Sequence, residues 1–469
     1  MRDLRRRALE SNKTVSRKAQ SKQASPAPSR PGSAPASRAA SRAVSRAGSD
    51  DEDAGGNLSD ETSFSVGSLN EILNSEAPES TDTWRDALNE RMDEIIDRKR
   101  SSIQSREKSL ANYIHLLTSY YAEDDISGRG AELVTAFLKS IKAESSDKET
   151  VLALKALGVS LITSPSDMIY DSASPAVKRT ITDSESMATK TAAIHTLGVC
   201  TFYGGAIKDE IFENMAFLLE IVASDGDSIS AQDEPLPVTA ALEEWGFLAT
   251  RLEDLSSVVE EALSTFTDQL SSSYAAVQIA AGENIALIYE KFYSVMEADE
   301  SFDSDESDDE PNPETAISKL SSYDSAFRNS EDLISNLETL ASFNTHRVSK
   351  KDQKSVRINF SDILNSIQNP SWGPRYNDAT NANYVAFGSR MVVKINQDGW
   401  MRIDKWWKMH RLQGLRRVLQ GGFVTHYENN SVVFESLPIM IENGFKVEKG
   451  KKKTMAAERR QGLKTSKHS

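Results

Sequence analysis

Two stretches of this chain, forty residues apart, share the same core. LKALGVSLITSPSD places Leu157, Gly158 and Val159, and IHTLGVCTFYGGAI places Leu197, Gly198 and Val199. Both lie in runs whose apolar residues recur at three and four, the spacing of helices rather than strands. Looser echoes follow in LEEWGFLATRL around Trp245 and AAGENIALIYEKF around Ile285, so residues 83–296 hold four or five units. A unit of this length cannot bury its own apolar face, so its core must be shared with its neighbours.

A period of about 40 to 47 residues with two helices per unit is the pattern of HEAT and armadillo stacks. The expected fold is therefore all-α in the main, an armadillo/HEAT-like α-solenoid, with an irregular helical bundle as the alternative. TWRDALNERMDEII opens the stack with Trp84, Leu88, Met92 and Ile95 on one stripe behind Asp82 as cap. SREKSLANYIHLLTSYYA then turns Leu110, Tyr113, Ile114 and Leu117 inward.

The flanks differ in kind. Large apolar residues almost vanish between Ser16 and Ser49, so burial there does not offset the entropy of ordering, and residues 1–82 are set aside as disordered. Residues 1–49 carry twelve Lys or Arg against two acids, and DEDAGGNLSDE after them is acidic. Arg38, Arg42 and Arg46 stand three residues before Ser41, Ser45 and Ser49, a spacing that suits a basic-directed kinase; plain low-complexity linker is the equal alternative. DESFDSDESDDE, with eight carboxylates and no base, marks residues 297–316 as an acidic linker. Residues 317–357 read as two helices and a basic run. Residues 358–440 read as a small, separate, mostly helical domain with strand-like pieces YVAFG and RMVVKI, and 441–469 as a basic tail. The last 25 residues hold nine Lys or Arg against two Glu, although the whole chain carries a net charge of -15.

RVSKKDQKSVRINFSDILNSIQ, then MRIDKWWKMHRLQGLRRVLQGGFVTHYENNSVVFESL, together with LGVCTF and IAAGENIALIYE, resembles the interferon-related developmental regulator family. The segments occur in the family's order, with Ile403, Asp404, Trp407, Leu419, Gly421 and Asn430 at the expected places. The resemblance implies an armadillo-like domain followed by a C-terminal family domain, in non-enzymatic regulators described as transcriptional co-regulators and as ribosome-associated factors. The Ser/Arg-rich N-terminus and the insertion NPSWGPRYNDATNANYVAFG depart from that pattern.

No catalytic constellation is legible. The six histidines make no HExxH or HxH set, and one cysteine makes no zinc cluster, so neither metal nor cofactor is expected. Cys200, in a repeat helix, reads as an inert core thiol. No run approaches the roughly 18 apolar residues of a membrane span, and the single cysteine suits a reducing compartment, so cytoplasm or nucleus is expected without membrane contact or small-molecule substrate.

IDKWWKMHRLQGLRRVLQ places two tryptophans among bases. Leu415, Leu419 and the tryptophans are expected to pack the small domain, with Trp406 also a candidate for stacking on a base. Lys405, Lys408, Arg411, Arg416 and Arg417 join the run Lys350, Lys351, Lys354 and Arg357 and the tail residues Lys451, Lys452, Lys453, Arg459 and Arg460 in a positive region suited to phosphates. The expected target is folded RNA, namely ribosomal RNA, with protein partners on the solenoid surface. The alternative is a nuclear co-regulator that scaffolds chromatin-modifying proteins, with Lys449–Lys453 as import signal.

Overall fold

Serine caps set the rhythm of the stack. Ser102, Ser146 and Ser186 each accept the backbone N–H three residues on, from Ser105, Glu149 and Thr189, and each opens a seventeen-residue helix. The side-chain oxygen satisfies one of the amides that a helix start leaves without a partner. These helices belong to a computed structural model of the chain, which describes residues 83–99, 101–302, 327, 330–342, 350–374, 376–380, 386–389, 392–395, 399–438 and 442–443. The serines of the N-terminal region, the cap expected at Asp82 and the tail lie outside them.

Five helix pairs follow in order. They are α1 (Thr83–Ile96) with α2 (Ile103–Ser119), α3 (Gly130–Ala143) with α4 (Asp147–Thr163), α5 (Ile169–Asp183) with α6 (Met187–Tyr203), α7 (Lys208–Ala223) with α8 (Pro235–Ala249), and α9 (Val259–Gln269) with α10 (Ala275–Phe302). The even-numbered helices stack on one another in chain order, and the odd-numbered ones cover one side of that layer. This is the helical solenoid expected from the repeat. The stripe of α1 is buried as read, as are Leu110, Tyr113, Ile114 and Leu117 of α2. Leu157, Val159, Leu197 and Val199 are all buried at matching positions.

The inner helices α4, α6 and α8 are apolar nearly all round, and a helix of that kind must be covered on every side. Their glycines show why the repeat contains one. A Cβ on Gly198 would stand 1.8 Å from Glu244 Oε2 of the next inner helix, and one on Gly246 would stand 2.2 Å from Asn284 Oδ1 of the helix after that. Glu244 and Asn284 thus enter between inner helices at places where the neighbour has no side chain.

The stack does not stop at residue 296. α10 runs on to Phe302, and a sixth pair, α11 (Ser330–Ala341) with α12 (Lys350–Gln368), packs α12 against α10. The expected boundary at 357/358 falls inside α12, because Val356, Phe360, Ile363 and Ile367 form one buried stripe through it. Beyond α12 lie a two-stranded ribbon, β1 (Tyr376–Thr380) with β2 (Ala386–Ser389), and a three-stranded antiparallel sheet, β3 (Val392–Lys394), β4 (Gly399–Arg402) and β5 (Glu442–Asn443). β3, within the strand-like piece RMVVKI, pairs Val392 with Arg402 and Val393 with Met401 of β4. The C-terminal part is mostly helical, and its buried residues share the solenoid's core instead of enclosing one apart. Among the described residues no helix is long and apolar enough to cross a membrane.

Gly198→Ala is expected to destabilise the chain by about 1–3 kcal/mol, since the added methyl must displace the buried Glu244 carboxylate. Urea denaturation followed by circular dichroism measures this, and an unchanged midpoint would exclude the close-approach role.

Candidate functional site

The C-terminal segment from residue 403 to 437 forms a strap over the inner layer. It comprises α13 (Trp406–Leu419), a 3-10 turn at Gln420–Gly422, α14 (Phe423–Asn429) and α15 (Ser431–Ser436). Ile403, Trp406, Met409, Leu412, Leu415, Leu419, Phe423, Tyr427, Val433 and Leu437 are buried in it. The strap packs on α10 and α8, reaches α4 and α2, and then doubles back to α4 and α6. Gly422 is obligatory on this path, since a Cβ there would meet the Thr118 carbonyl oxygen at 1.7 Å.

The strap supplies donors to carbonyls at the C-terminal ends of the inner helices. His426 Nε2–H donates to the Leu117 carbonyl in the last turn of α2 at 2.7 Å. Asn430 Nδ2 donates to the Ile162 carbonyl of α4 at 2.8 Å, while its Oδ1 accepts from Val432 N and caps α15. Arg411 Nη2 donates to the Thr250 carbonyl just past α8, its Nε to the Thr250 hydroxyl, and its Nη1 to the Ser436 carbonyl. For α6 the donor is Arg251, which reaches the Thr201 and Phe202 carbonyls from the end of α8. Each of these carbonyls lacks a partner in its own helix, and cationic donors also oppose the negative end of the helix dipole.

In return the solenoid caps the strap. α13 begins at Lys405 with no side-chain cap of its own. Glu290 of α10 fills that role, accepting the backbone N–H groups of Trp406 at 2.8 Å and Trp407 at 3.1 Å. Burial pushes the Glu290 carboxyl above its ordinary value, and these two amides oppose the shift. Further along, Arg417 pairs with Glu243 at 3.1 Å and with Glu244 at 2.7 Å. Burial works against its charge, but the two carboxylates outweigh it and hold the guanidinium above its usual range. His195 Nδ1 also bonds Glu244 Oε1, at 2.8 Å. Burial pushes His410 down to about 4, and it lowers His426 as well, so the strap's two buried imidazoles are neutral near neutrality.

The positive region expected from the sequence is thus divided. Trp406, 2% exposed, donates its indole N–H to Ser366 inside the core and is no stacking platform. Arg411 and Arg417 are engaged internally and do not face a partner. The acidic solenoid draws them in, because its carboxylates and helix ends are the nearest negative charge. Lys405 is half-buried; Lys408 is half-buried and paired with Asp404 at 2.5 Å. Arg416 is exposed above the Phe423 ring, and Arg357 is exposed on α12. Lys350, Lys351 and Lys354 lie on the first turns of α12. Lys451, Lys452, Lys453, Arg459 and Arg460 lie outside the described residues.

The buried stripe of α13 runs through Trp406, Met409, His410, Leu412, Leu415 and Leu419, with Trp407 and Val418 only half-buried. It differs from the face of Ile403, Trp407 and Val418 that a free amphipathic helix would bury, because α13 lies in a groove and is covered on more than one side. Glu243, Glu244, Glu290 and Thr250 carry no sequence signal, since a carboxylate in a helix reads as solvated until its partner is known. Asn430 was marked by the family pattern, though not for its reason. Cys200 is buried, and burial pushes its thiol up to about 12, as befits an inert core group. Where α13 ends, a cleft remains open between the strap and the inner layer, lined by Ile114, Leu154, Lys155, His195, Val199 and Val418 among others.

Glu290→Ala is expected to cost about 1–3 kcal/mol by leaving two amides at the start of α13 without acceptors, measurable by urea denaturation. The histidines set a pH dependence. An unfolded chain takes up protons on His410 and His426 below about 6.5 that the folded chain refuses, so unfolding free energy falls as pH drops from about 6.5 toward 4. His410 alone accounts for up to about 3 kcal/mol across that window. Glu290 works in the opposite direction, because its raised folded pKa adds stability as pH falls. Denaturation of wild type and His410→Gln at several pH values should show a shallower acid slope in the variant.

Residues 53–368 match the family model described as interferon-related developmental regulator, more than half of the chain. An uncharacterized protein of Schizosaccharomyces pombe is 26% identical over 79% of this chain and 77% of its own length. Interferon-related developmental regulator 1 of Homo sapiens is 22% identical over 73% of this chain and 70% of its own length, and the Sus scrofa protein of that name matches to the same extent. With that family match on a chain of stacked helix pairs, this protein belongs to the interferon-related developmental regulator family.

Proposed function

We propose that the chain is a non-enzymatic regulator whose strapped helical-repeat body positions a basic C-terminal tail on ribosomal RNA. One observation carries this reading: Arg411 and Arg417 serve the fold and Lys408 pairs with Asp404, so the weight of the expected positive region shifts from the strap helix to the basic run of α12 and to the tail. The tail, with nine Lys or Arg in its last 25 residues, holds the greater share. It follows shortly after the strap, whose last described helix ends at Ser436 on the inner layer. A tail tethered beside a docked body binds at a raised effective concentration, which offsets the entropy lost on ordering. A cationic tail on folded RNA reads shape and backbone, not base edges.

The name developmental regulator, carried by the relatives from Homo sapiens and Sus scrofa, supports a second reading. In it the body is a nuclear co-regulator scaffold and Lys449–Lys453 the import signal.

Ribosome co-sedimentation at two salt concentrations separates them. Deletion of residues 445–469 is expected to weaken binding and flatten its salt dependence, because fewer counterions are released. Lys405→Ala/Lys408→Ala/Arg416→Ala is expected to weaken binding modestly while leaving the melting temperature nearly unchanged. Undiminished sedimentation of the tail deletion would overturn the ribosomal reading; nuclear accumulation lost with the same deletion would favour the second.

A further inference from the structure

Among the described residues two large apolar side chains are far more exposed than any other: Met168 at 80% and Ile207 at 63%, against 44% for the next, Phe434. Both stand at the edge where the inner helices end. Met168 closes the connection from α4 to α5, and Ile207 closes that from α6 to α7. The two connections lock together through their backbones. Tyr170 N–H donates to the Gly204 carbonyl at 2.9 Å. Gly205, at a φ of +93°, comes so close that a Cβ on it would meet the Asp167 Cα and carbonyl oxygen at 2.4 Å, an approach and a conformation that favour glycine. Met168 is one residue from this contact and Ile207 two, so their Cα atoms lie within about 15 Å of each other.

The fold makes no use of either side chain. Each occupies the position just before a helix, where Ser, Thr, Asp or Asn would accept a backbone amide, and neither makes such a bond. At α7 the Glu210 carboxylate accepts the Ile207 backbone N–H at 2.8 Å, a bond of the main chain that leaves the side chain to solvent. Exposed apolar side chains gathered inside a polar rim mark a surface for another protein.

The rim sets the charge of that protein. Asp167, Asp171 and Asp209 are exposed beside the pair, with Glu210 half-buried among them. The nearby cations are already engaged: Arg251 donates to the Thr201 and Phe202 carbonyls and feels the charge of Asp167, and Lys208 lies 5.8 Å from the centre of the Phe212 ring. A rim of this sign repels phosphate and attracts a cationic segment.

We propose that Met168 and Ile207 are the apolar centre of a docking site for a partner protein. The occupant is a basic segment that seats two apolar side chains on Met168 and Ile207 and sets Lys or Arg against Asp167, Asp171 and Asp209. Methionine, unbranched and polarizable, adapts its shape to such a guest. Proteins that act on nucleic acid carry basic arms of this kind, so the site serves either reading of the chain's function and rests on neither.

Selection of a random phage-displayed peptide library on the full chain tests this. The enriched peptides are expected to combine two apolar residues with flanking Lys or Arg, and a labelled synthetic copy should bind at micromolar concentration by fluorescence anisotropy. Met168→Ser/Ile207→Ser should weaken that peptide at least about tenfold. The same variant should not lower the melting temperature, since Ser caps a helix better than Ile. Asp167→Asn/Asp209→Asn should weaken the peptide several-fold and flatten its salt dependence. A single-stranded RNA oligonucleotide should bind wild type and the Ser variant equally. An acidic consensus or no enrichment, equal peptide binding by the Ser variant, or RNA binding that falls with it would overturn the proposal. So would self-association in analytical ultracentrifugation that the Ser variant abolishes, because the occupant would then be a second copy.

Discussion

Helix ends that point at one edge need donors, and the architecture turns on how they are supplied. Parallel inner helices bring their C-terminal carbonyls together, where a simple repeat would leave them to water. Here His426, Asn430 and Arg411 come from a single distant segment and reach α2, α4 and α8 in turn. The start of that segment's own helix is completed by Glu290 of α10. Strap and solenoid thus satisfy each other's unpaired backbone groups, and neither is complete without the other.

The same exchange explains a basic helix in an acidic protein. Arg417 lies between Glu243 and Glu244, and Glu244 sits where Gly198 leaves room for it. Such buried pairs contribute little net stability against well-packed apolar groups, but removing one partner leaves a buried charge uncompensated. They therefore select one register of the strap on the stack, a role that apolar packing alone performs less sharply. This arrangement also covers much of the inner face with the chain's own C-terminal segment.

The glycines link the repeat to the strap. Gly158 lies under Val418, Gly246 beside His410 and Asn284, and Gly414 of the strap against Phe247 of α8. A small residue on one helix matters because a large or polar one on its neighbour must fit there, so the repeat signature records inter-helix distance more than helix propensity.

Local periodicity determined the helices. The stripes Trp84-Leu88-Met92-Ile95 and Leu110-Tyr113-Ile114-Leu117, and the matched Leu-Gly-Val triplets, are buried as the 3.6-residue rule requires, since each unit's apolar face is written in its own residues. The strand in RMVVKI was legible from its own residues as well, whereas its partner Gly399–Arg402 was not. Tertiary structure alone decided that α12 extends the stack, that α13 buries Trp406 more deeply than Trp407, and that Arg411 and Arg417 face inward. A charged side chain in a sequence shows its charge but not its partner. Glu290 and Trp406 are 116 residues apart, and only folding brings the carboxylate to the two amides that give it a function.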